Sequence, residues 1–139
     1  MIDDETRRDR SMRGEEIMRQ LDPNAGAVID TWLHDLAPDL GRYIREFSFG
    51  DIYAREGISL RDREIAAIAA LAAKSTATSQ LKGHIKAGLH IGLTKEEIVE
   101  VIMQTVIYSG VPATLNAFAA MRDVLAAEEA AHKTPTAAE

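Results

Sequence analysis

The sequence predicts an all-α protein, and three observations agree on this. Apolar residues recur at intervals of three and four along most of the chain, and no useful stretch alternates polar and apolar residues as a strand does. Residues 65–73 consist of alanine, isoleucine and leucine, a strongly helix-forming run. Capping residues, glycines and prolines separate the periodic segments. We therefore expect a compact single-domain bundle of about six to seven helices.

The first part of the chain predicts three helices after a charged arm. Residues 1–10 are charged and lack periodicity, so we expect a mobile arm. Residues 11–21 predict the first helix. A second follows Asn24 as its cap and contains Trp32, which we expect to be a core or interface anchor. A third helix is expected over residues 40–53.

The alanine-rich segment and the helix after it come next. Ser59 and Asp62 have capping-box spacing, so the alanine-rich helix begins there and runs to about residue 74. Its small side chains allow another helix to approach closely. A short Ser/Thr-rich loop then leads into a helix over residues 79–91.

Two more helices complete the predicted bundle. Thr94 and Glu97 form a second capping box, and the helix that they open is expected to reach residue 109. A Gly-Val-Pro break follows, and the last helix covers residues 113–130. The expected helical domain is residues 11–131, followed by a frayed tail at residues 132–139.

Composition limits the class of function. The chain has 139 residues, 46% of them hydrophobic, and a net charge of -6, which suits one domain and disfavours nucleic acid or an anionic membrane surface as partner. Small molecules and further copies of the chain fit better. The absence of cysteine excludes disulfides, thiolate nucleophiles and cysteine-ligated metals. The charged N-terminus and the lack of a membrane-length apolar run predict a cytoplasmic protein.

The candidate site lies between residues 80 and 112. Gln80 and His84 are one helical turn apart, at the edge of an apolar stripe. Arg63 stands in the first turn of the alanine-rich helix, where the helix dipole disfavours a cation, so it is a candidate for holding an anionic substrate. The helix that Thr94 and Glu97 open carries a polar stripe of Glu97, Glu100, Gln104 and Tyr108.

The same candidate residues also have structural interpretations. A histidine in an amphipathic helix is more often structural than chemical, and an exposed glutamate is more often a solvated surface group. Glu97 is explained by capping. No histidine follows a glutamate by three residues, so we expect no protein-bound metal. The other three histidines, His34, His90 and His132, are expected at the surface.

Several segments together resemble the carboxymuconolactone decarboxylase family of the alkylhydroperoxidase D-like superfamily. The resemblance covers most of the chain and rests on Phe-Gly-Asp-Ile-Tyr at residues 49–53, Arg-Glu-Gly-Ile-Ser at 55–59, Arg-Asp-Arg-Glu-Ile at 61–65, Gln-Leu-Lys-Gly-His-Ile-Lys-Ala at 80–87, Gly-Leu-Thr at 92–94, Glu-Glu-Ile-Val-Glu at 96–100 and Tyr-Ser-Gly-Val-Pro-Ala at 108–113.

The resemblance implies a small helical subunit that assembles into homo-trimers or homo-hexamers and takes part in aromatic-compound catabolism. It also implies a lyase that needs no cofactor, because the electrons released with carbon dioxide pass into a conjugated lactone carbonyl. In that scheme Arg63 holds the carboxylate, His84 donates the proton and Gln80 orients it or donates to the oxyanion. Glu100 acts as a further catalytic group, while Gln104 and Tyr108 contact the substrate.

Two departures from the family pattern narrow the activity. The Cys-x-x-Cys pair of the peroxidase members is absent, so thiol peroxidase chemistry is excluded. Many decarboxylase-like members carry glutamate where this chain has Gln80, and an amide cannot act as a general acid or base. Two alternatives therefore stay open: cyclisation or dehydration in a biosynthetic pathway, and a non-catalytic oligomeric binding protein.

Overall fold

The computed structural model describes residues 3–133, and these form seven α-helices and one π-helix with no β-strand among them. The all-α prediction is confirmed for this part of the chain. In order, the elements are α1 (Asp4–Leu21), α2 (Ala25–Leu33), α3 (Pro38–Tyr43), the π-helix (Ile44–Tyr53), α4 (Leu60–Lys74), α5 (Thr78–His90), α6 (Lys95–Gln104) and α7 (Val106–Lys133).

The helices belong to two compact units, one ending at Arg63 and the other beginning at Glu64. The first contains α1, α2, α3, the π-helix and the first turn of α4. The second contains the rest of α4 together with α5, α6 and α7. The domain limits expected at residues 11 and 131 stay a prediction.

In the first unit, α1 packs directly against the backbone of the π-helix. A Cβ atom on Gly14 would lie 1.9 Å from the Arg45 carbonyl oxygen, and one on Gly50 would lie 2.3 Å from the Arg10 carbonyl oxygen. Both distances are far below van der Waals contact, so only glycine fits at either position. The two helices are therefore closer together than side chains would allow.

Ion pairs join the same two helices. Arg10 Nε lies 3.0 Å from each carboxylate oxygen of Asp51, and this hydrogen bond, together with the positive charge, lowers the pKa of Asp51. Arg10 and Arg42 also lie within 3.8 and 3.5 Å of Glu46, which is buried. A buried carboxylate is costly unless paired, and two arginines provide that pairing here.

The second unit has a continuous apolar core to which α4, α5, α6 and α7 all contribute. This confirms the expected packing of the alanine-rich helix with the next two helices. The most deeply buried large apolar side chains are Ile68, Ile85, Ile98 and Ile102, and further core residues are Ala72, Leu81, Leu93, Val101, Ala117, Ala120, Met121 and Val124.

Both predicted capping interactions are present. The Ser59 hydroxyl oxygen accepts a hydrogen bond from the Asp62 backbone N–H at 3.0 Å. Thr94 and Glu97 form the complete reciprocal box, with N···O distances of 2.9 and 3.1 Å. These contacts satisfy N–H groups that a helix leaves unpaired at its start, which explains why the boundaries could be located from sequence.

The first helix begins earlier than predicted. It starts at Asp4 instead of residue 11, and Asp3 caps it by accepting a hydrogen bond from the Thr6 backbone N–H at 2.8 Å. Most of the segment expected to be an arm is therefore helical. The prediction relied on apolar periodicity, whereas this turn is supported by its cap and by acidic residues near the positive end of the helix dipole.

Two further boundaries differ from the prediction. The expected helix over residues 40–53 is instead α3 followed by a ten-residue π-helix. The expected helix to residue 109 ends at Gln104, where the Thr105 hydroxyl bonds the Ile102 carbonyl at 2.7 Å. α7 then begins at Val106 and contains a sharp break at Gly110, where φ is +82°. The break expected just before Pro112 is thus confirmed inside α7.

The remaining predictions concern surface residues and the C-terminal tail. His34, His90 and His132 are exposed, as predicted. Trp32 is 75% exposed, so the expectation that it anchors the core is wrong for the single chain, and its interface role stays a prediction. The first two residues of the predicted frayed tail, 132 and 133, are the last two residues of α7. The rest of that tail, residues 134–139, lies outside the described part of the chain.

Candidate active site

A fully buried carboxylate marks the candidate site in the second unit. Glu64 lies one turn before Ile68 and two turns before Ala72 on α4, so it shares the helix face that enters the core. Its relative exposure is 0%. Since burial disfavours the charged form of a carboxyl group, this position demands a specific partner.

His84 on α5 is that partner. Leu81 and Ile85 beside it in sequence are core residues, while the His84 side chain keeps 26% of its surface exposed. The ring therefore sits at the boundary between core and surface, as its helical position predicted. Its Nδ1 atom lies 2.8 Å from Glu64 Oε2, a hydrogen-bonding distance.

A tight contact lies one turn beyond His84. A Cβ atom on Gly88 would lie 2.9 Å from Leu93 Cδ1, whereas Ile68 Cδ1 of α4 would be at 3.4 Å, an ordinary contact distance. Glycine at this position therefore makes room mainly for Leu93, which belongs to the same core as Ile68.

The pair leaves one oxygen unmatched. Glu64 Oε1 is buried and has no hydrogen-bond partner among the described residues, whereas Oε2 is bonded to His84. An unsatisfied buried acceptor costs about 1–3 kcal/mol. Such a cost is common at functional sites, where polar groups are placed for chemistry at the expense of stability.

The geometry assigns complementary roles to the two groups. An ionised carboxylate only accepts hydrogen bonds, so Nδ1 of His84 carries the proton when Glu64 is charged. The carboxylate then fixes the ring orientation, while Nε2 is the nitrogen on the opposite side of the ring. This is the arrangement of a histidine that acts as general acid or base and is oriented by a neighbouring carboxylate.

Arg63 is held in place within the first unit. Its Nη2 donates to the Arg55 carbonyl oxygen at 2.8 Å, and its guanidinium carbon lies 5.8 Å from the centre of the Tyr53 ring. Its Nε atom is buried without a hydrogen-bond partner among the described residues. A planar guanidinium fixed in this way is suited to binding a carboxylate. The expected meeting of Arg63 with the substrate of His84 stays a prediction.

The remaining predicted site residues are exposed. Gln80 is at the surface of α5, and Glu100 and Gln104 are at the surface of α6. Tyr108 on α7 is 83% exposed. Their roles toward a substrate stay predictions, since the pair that the structure brings together in the second unit is His84 with Glu64.

Glu64 was missed as a site residue, although its segment was part of the family resemblance. A signal was present in the sequence: a single acid occupies the four-residue spacing shared with Ile68 and Ala72 in an otherwise apolar face. Glu64 lies next to the charged first turn of the helix, where acidic residues are expected, so its charge alone does not indicate a buried site residue.

Two wider features of the described residues bear on the class of protein. Within residues 3–133, no three His, Asp or Glu side chains are grouped so that they could hold a metal ion. Within the same range, no helix is both long and apolar enough to span a bilayer.

The fold and the site together define a class: small all-helical proteins in which a buried carboxylate orients a partly exposed histidine on a neighbouring helix. A model of the carboxymuconolactone decarboxylase family matches residues 38–123, which include both Glu64 and His84. Because this match spans more than half of the chain, the chain belongs to the carboxymuconolactone decarboxylase family.

Two relatives are similar to the chain in sequence. It is 32% identical over 82 residues to 4-carboxymuconolactone decarboxylase of Acinetobacter baylyi, a match that covers 59% of this chain and 60% of that protein. It is 29% identical over 117 residues to an uncharacterized 15.0 kDa protein in the nqo9-nqo10 intergenic region of Paracoccus denitrificans, covering 84% and 87%. The chain thus matches less than two thirds of the decarboxylase.

Proposed function

We propose that the chain is a cofactor-independent lyase that decarboxylates or isomerises a small carboxylated lactone or enolisable acid in the cytoplasm. Membership of the family and the likeness to a named decarboxylase support the reaction class. The observation that carries the proposal is the 2.8 Å contact between buried Glu64 and partly exposed His84.

The proposed reaction needs one place for electrons and one proton. The bond between carbon and the leaving carboxylate breaks, and its electron pair passes through the conjugated alkene to the lactone carbonyl oxygen. The resulting dienolate then takes a proton on carbon. The substrate anion and one proton are thereby converted to carbon dioxide and the product lactone. A positioned acid accelerates such a step by about 10²–10⁴-fold.

His84 supplies that proton in our proposal. As an imidazolium ion it donates from Nε2 to the dienolate carbon, while Nδ1 remains hydrogen-bonded to Glu64. The buried carboxylate stabilises the charged ring before transfer and keeps it in one orientation afterwards. Glu64 is therefore a positioning residue that acts through His84.

The other assignments within the proposal concern binding. Arg63 holds the substrate carboxylate, and Gln80, one turn before His84, donates to the developing oxyanion or orients the ring. Carbon dioxide is lost from the group that Arg63 binds. Replacing Arg63 is therefore expected both to raise KM and to lower kcat. Glu100 serves as a further catalytic group, and Gln104 and Tyr108 contact the substrate.

The decisive experiment compares His84→Ala with His90→Ala, a substitution of an exposed histidine on the same helix. With 4-carboxymuconolactone as the probe, we expect wild type and His90→Ala to release carbon dioxide and His84→Ala to lose turnover by at least about a hundredfold. Melting temperatures serve as the folding control. An active but destabilised His84→Ala variant would remove the residue from the mechanism and indicate a structural role.

A second reaction on the same site is favoured by one sequence feature. Gln80 cannot act as an acid or base, so the site has fewer proton-transfer groups than many decarboxylase-like members. In a dehydration, His84 oriented by Glu64 can act twice, first removing a proton from carbon and then giving it to the leaving hydroxyl group, which departs as water. Turnover of such an acid without release of carbon dioxide, lost again in His84→Ala, would favour this second function over the first.

A further inference from the structure

Arg63 differs from the other half-buried arginines of the first unit, which are Arg10, Arg42 and Arg45. Each of those three forms an ion pair with an aspartate or a glutamate. Arg63 forms no ion pair within the part of the chain that the structure describes, although its Nε atom is buried. A half-buried cation without a counter-ion costs free energy, and its charge is available to an anionic ligand.

Neutral groups hold the Arg63 side chain instead. Its guanidinium carbon lies 5.8 Å from the centre of the Tyr53 ring, and its Nη2 donates to the Arg55 carbonyl oxygen at 2.8 Å. The Arg63 backbone N–H also donates to the Ser59 carbonyl oxygen at 3.0 Å, so the first turn of α4 fixes the start of the side chain. An aromatic face attracts a guanidinium group without neutralising its charge. The cation is therefore oriented and still able to bind an anion.

The end of the π-helix fixes both of these contacts. The Phe49 ring packs against the Tyr53 ring at a centroid distance of 5.2 Å. The Ala54 backbone N–H donates to the Phe49 carbonyl oxygen at 3.0 Å, and the Arg55 backbone N–H donates to the Ile52 carbonyl oxygen at 3.3 Å. These bonds order the turn that carries the two groups in contact with the guanidinium. π-Helical turns are frequent at functional sites, and this one ends beside a cation that lacks a counter-ion.

We propose that Tyr53 is a positioning residue for substrate binding and acts through Arg63. This rests on the proposed function, in which Arg63 holds the substrate carboxylate. The Tyr53 ring face and the Arg55 carbonyl oxygen keep the guanidinium plane in one orientation, so that it meets a carboxylate without first losing rotamer freedom. A fixed planar guanidinium matches a planar carboxylate, whereas an ammonium group in its place would lose that match.

A second arginine–tyrosine pair in the same unit provides a matched control. The guanidinium carbon of Arg42 lies 4.6 Å from the centre of the Tyr43 ring. Arg42 also pairs with Asp39 at 3.1 Å and with buried Glu46 at 3.5 Å, so its charge is already matched within the chain. We therefore expect the ring of Tyr43 to be dispensable for substrate binding.

The first test needs no substrate, so it stays decisive if the proposed function fails. Deuterium exchange of the Arg63 Nε–H is followed by NMR, and its signal is identified by its absence in Arg63→Lys. We expect slow exchange in wild type, because the atom is buried. Tyr53→Leu should speed exchange by at least about tenfold. Tyr53→Phe, which keeps the ring face, and Tyr43→Leu should exchange as slowly as wild type.

The second test is a double-mutant cycle in steady-state kinetics with 4-carboxymuconolactone as the probe. Tyr53→Leu should raise KM by about threefold to tenfold, whereas Tyr53→Phe and Tyr43→Leu should leave it unchanged. In an Arg63→Ala background, Tyr53→Leu should have no further effect, because a residue that acts through Arg63 then has nothing to position. A purely structural role of Tyr53 would add its effect in both backgrounds.

Circular dichroism confirms that each variant remains helical. Should Tyr53→Leu fail to fold, Tyr53→Met takes its place, because it also lacks an aromatic face. Exchange in Tyr53→Leu as slow as in wild type overturns the inference, and so does an equal rise in KM for Tyr43→Leu or an additive effect with Arg63→Ala.

The outcomes also separate this inference from the proposed function. An unchanged KM in Arg63→Ala overturns the binding role of Arg63 and this inference with it, while carbon dioxide release by His84→Ala still tests the catalytic role of the histidine. If wild type does not turn over the probe, the proposed decarboxylation fails, and the exchange of the Arg63 Nε–H alone decides whether Tyr53 positions the guanidinium.

Discussion

Glu64 is placed where stability alone would not place it. An acid with 0% exposure and one unbonded carboxylate oxygen occupies a position that leucine could fill with apolar contacts. Replacing a buried ionic pair by apolar groups is often neutral or stabilising, so the pair contributes little to the free energy of folding. Its value lies in orienting His84, whose Nδ1 atom it contacts.

Glu64→Gln is therefore expected to separate activity from stability. The amide keeps the shape and can still accept from Nδ1, but it cannot stabilise an imidazolium ion, so turnover should fall by at least about a hundredfold. Melting temperature should change little, because the amide still accepts from Nδ1 and the partly exposed imidazole ring keeps access to water. Initial rates and melting temperatures are measured on the same preparations.

Glu96→Gln provides the matched control, since Glu96 is an exposed carboxylate on α6. It should retain both turnover and the wild-type melting temperature. Full activity in Glu64→Gln would mean that the carboxylate does not act through His84.

Among the elements, α1 and the π-helix are joined by backbone contact rather than by interlocking side chains. The hypothetical Cβ of Gly14 would meet the Arg45 carbonyl oxygen at 1.9 Å, and a backbone atom cannot move aside as a flexible side chain does. A π-helix is rare and persists when tertiary packing supports it. The close approach of α1 supplies such packing in the first unit.

Gly14→Ala tests this contact against intrinsic helix propensity. Alanine favours helix over glycine by up to about 1 kcal/mol, yet overpacking here should cost more, for a net loss of about 1–3 kcal/mol in unfolding free energy. Gly83→Ala is the comparison on α5, because no atom lies within 4 Å of its added Cβ. It should stabilise by roughly 0.5–1 kcal/mol. Urea unfolding measures both, and a stabilised Gly14→Ala would contradict the close approach.

For the whole molecule, acidic residues outnumber basic ones by 22 to 16, so pairing of carboxylates matters for stability. In the first unit, Asp51 and Glu46 share the guanidinium group of Arg10, and Glu46 also pairs with Arg42. The hydrogen bond from Arg10 lowers the pKa of Asp51 in the folded state. Its contribution is therefore fully present above the unfolded pKa of about 3.9 and is lost as pH falls through the folded value.

Asp51→Asn should consequently be less stable than wild type at pH 7, and the difference should shrink as pH falls below about 4. Thermal midpoints at neutral and acidic pH give the measurement. Asp9→Asn, an exposed aspartate on α1, should differ little from wild type at either pH. A gap between Asp51→Asn and wild type that is the same at both pH values would show that the Arg10 contact does not set the pKa.

Local features determined the helix class, the caps at Ser59 and Thr94, the break near Gly110 and the position of His84 at a core edge. Periodicity, hydrogen bonds to the first N–H groups and the freedom of glycine act within a few residues, so the sequence states them directly. The family resemblance also depended on short segments of this kind.

Only the tertiary structure decided which groups meet. Glu64 and His84 are twenty residues apart on different helices, and their 2.8 Å contact depends on how α4 and α5 are placed around the shared core. The π-helix and the exposure of Tyr108 likewise follow from packing that apolar periodicity does not encode. Helical spacing specifies which face a side chain occupies, whereas the partner on that face is chosen by the neighbouring helix.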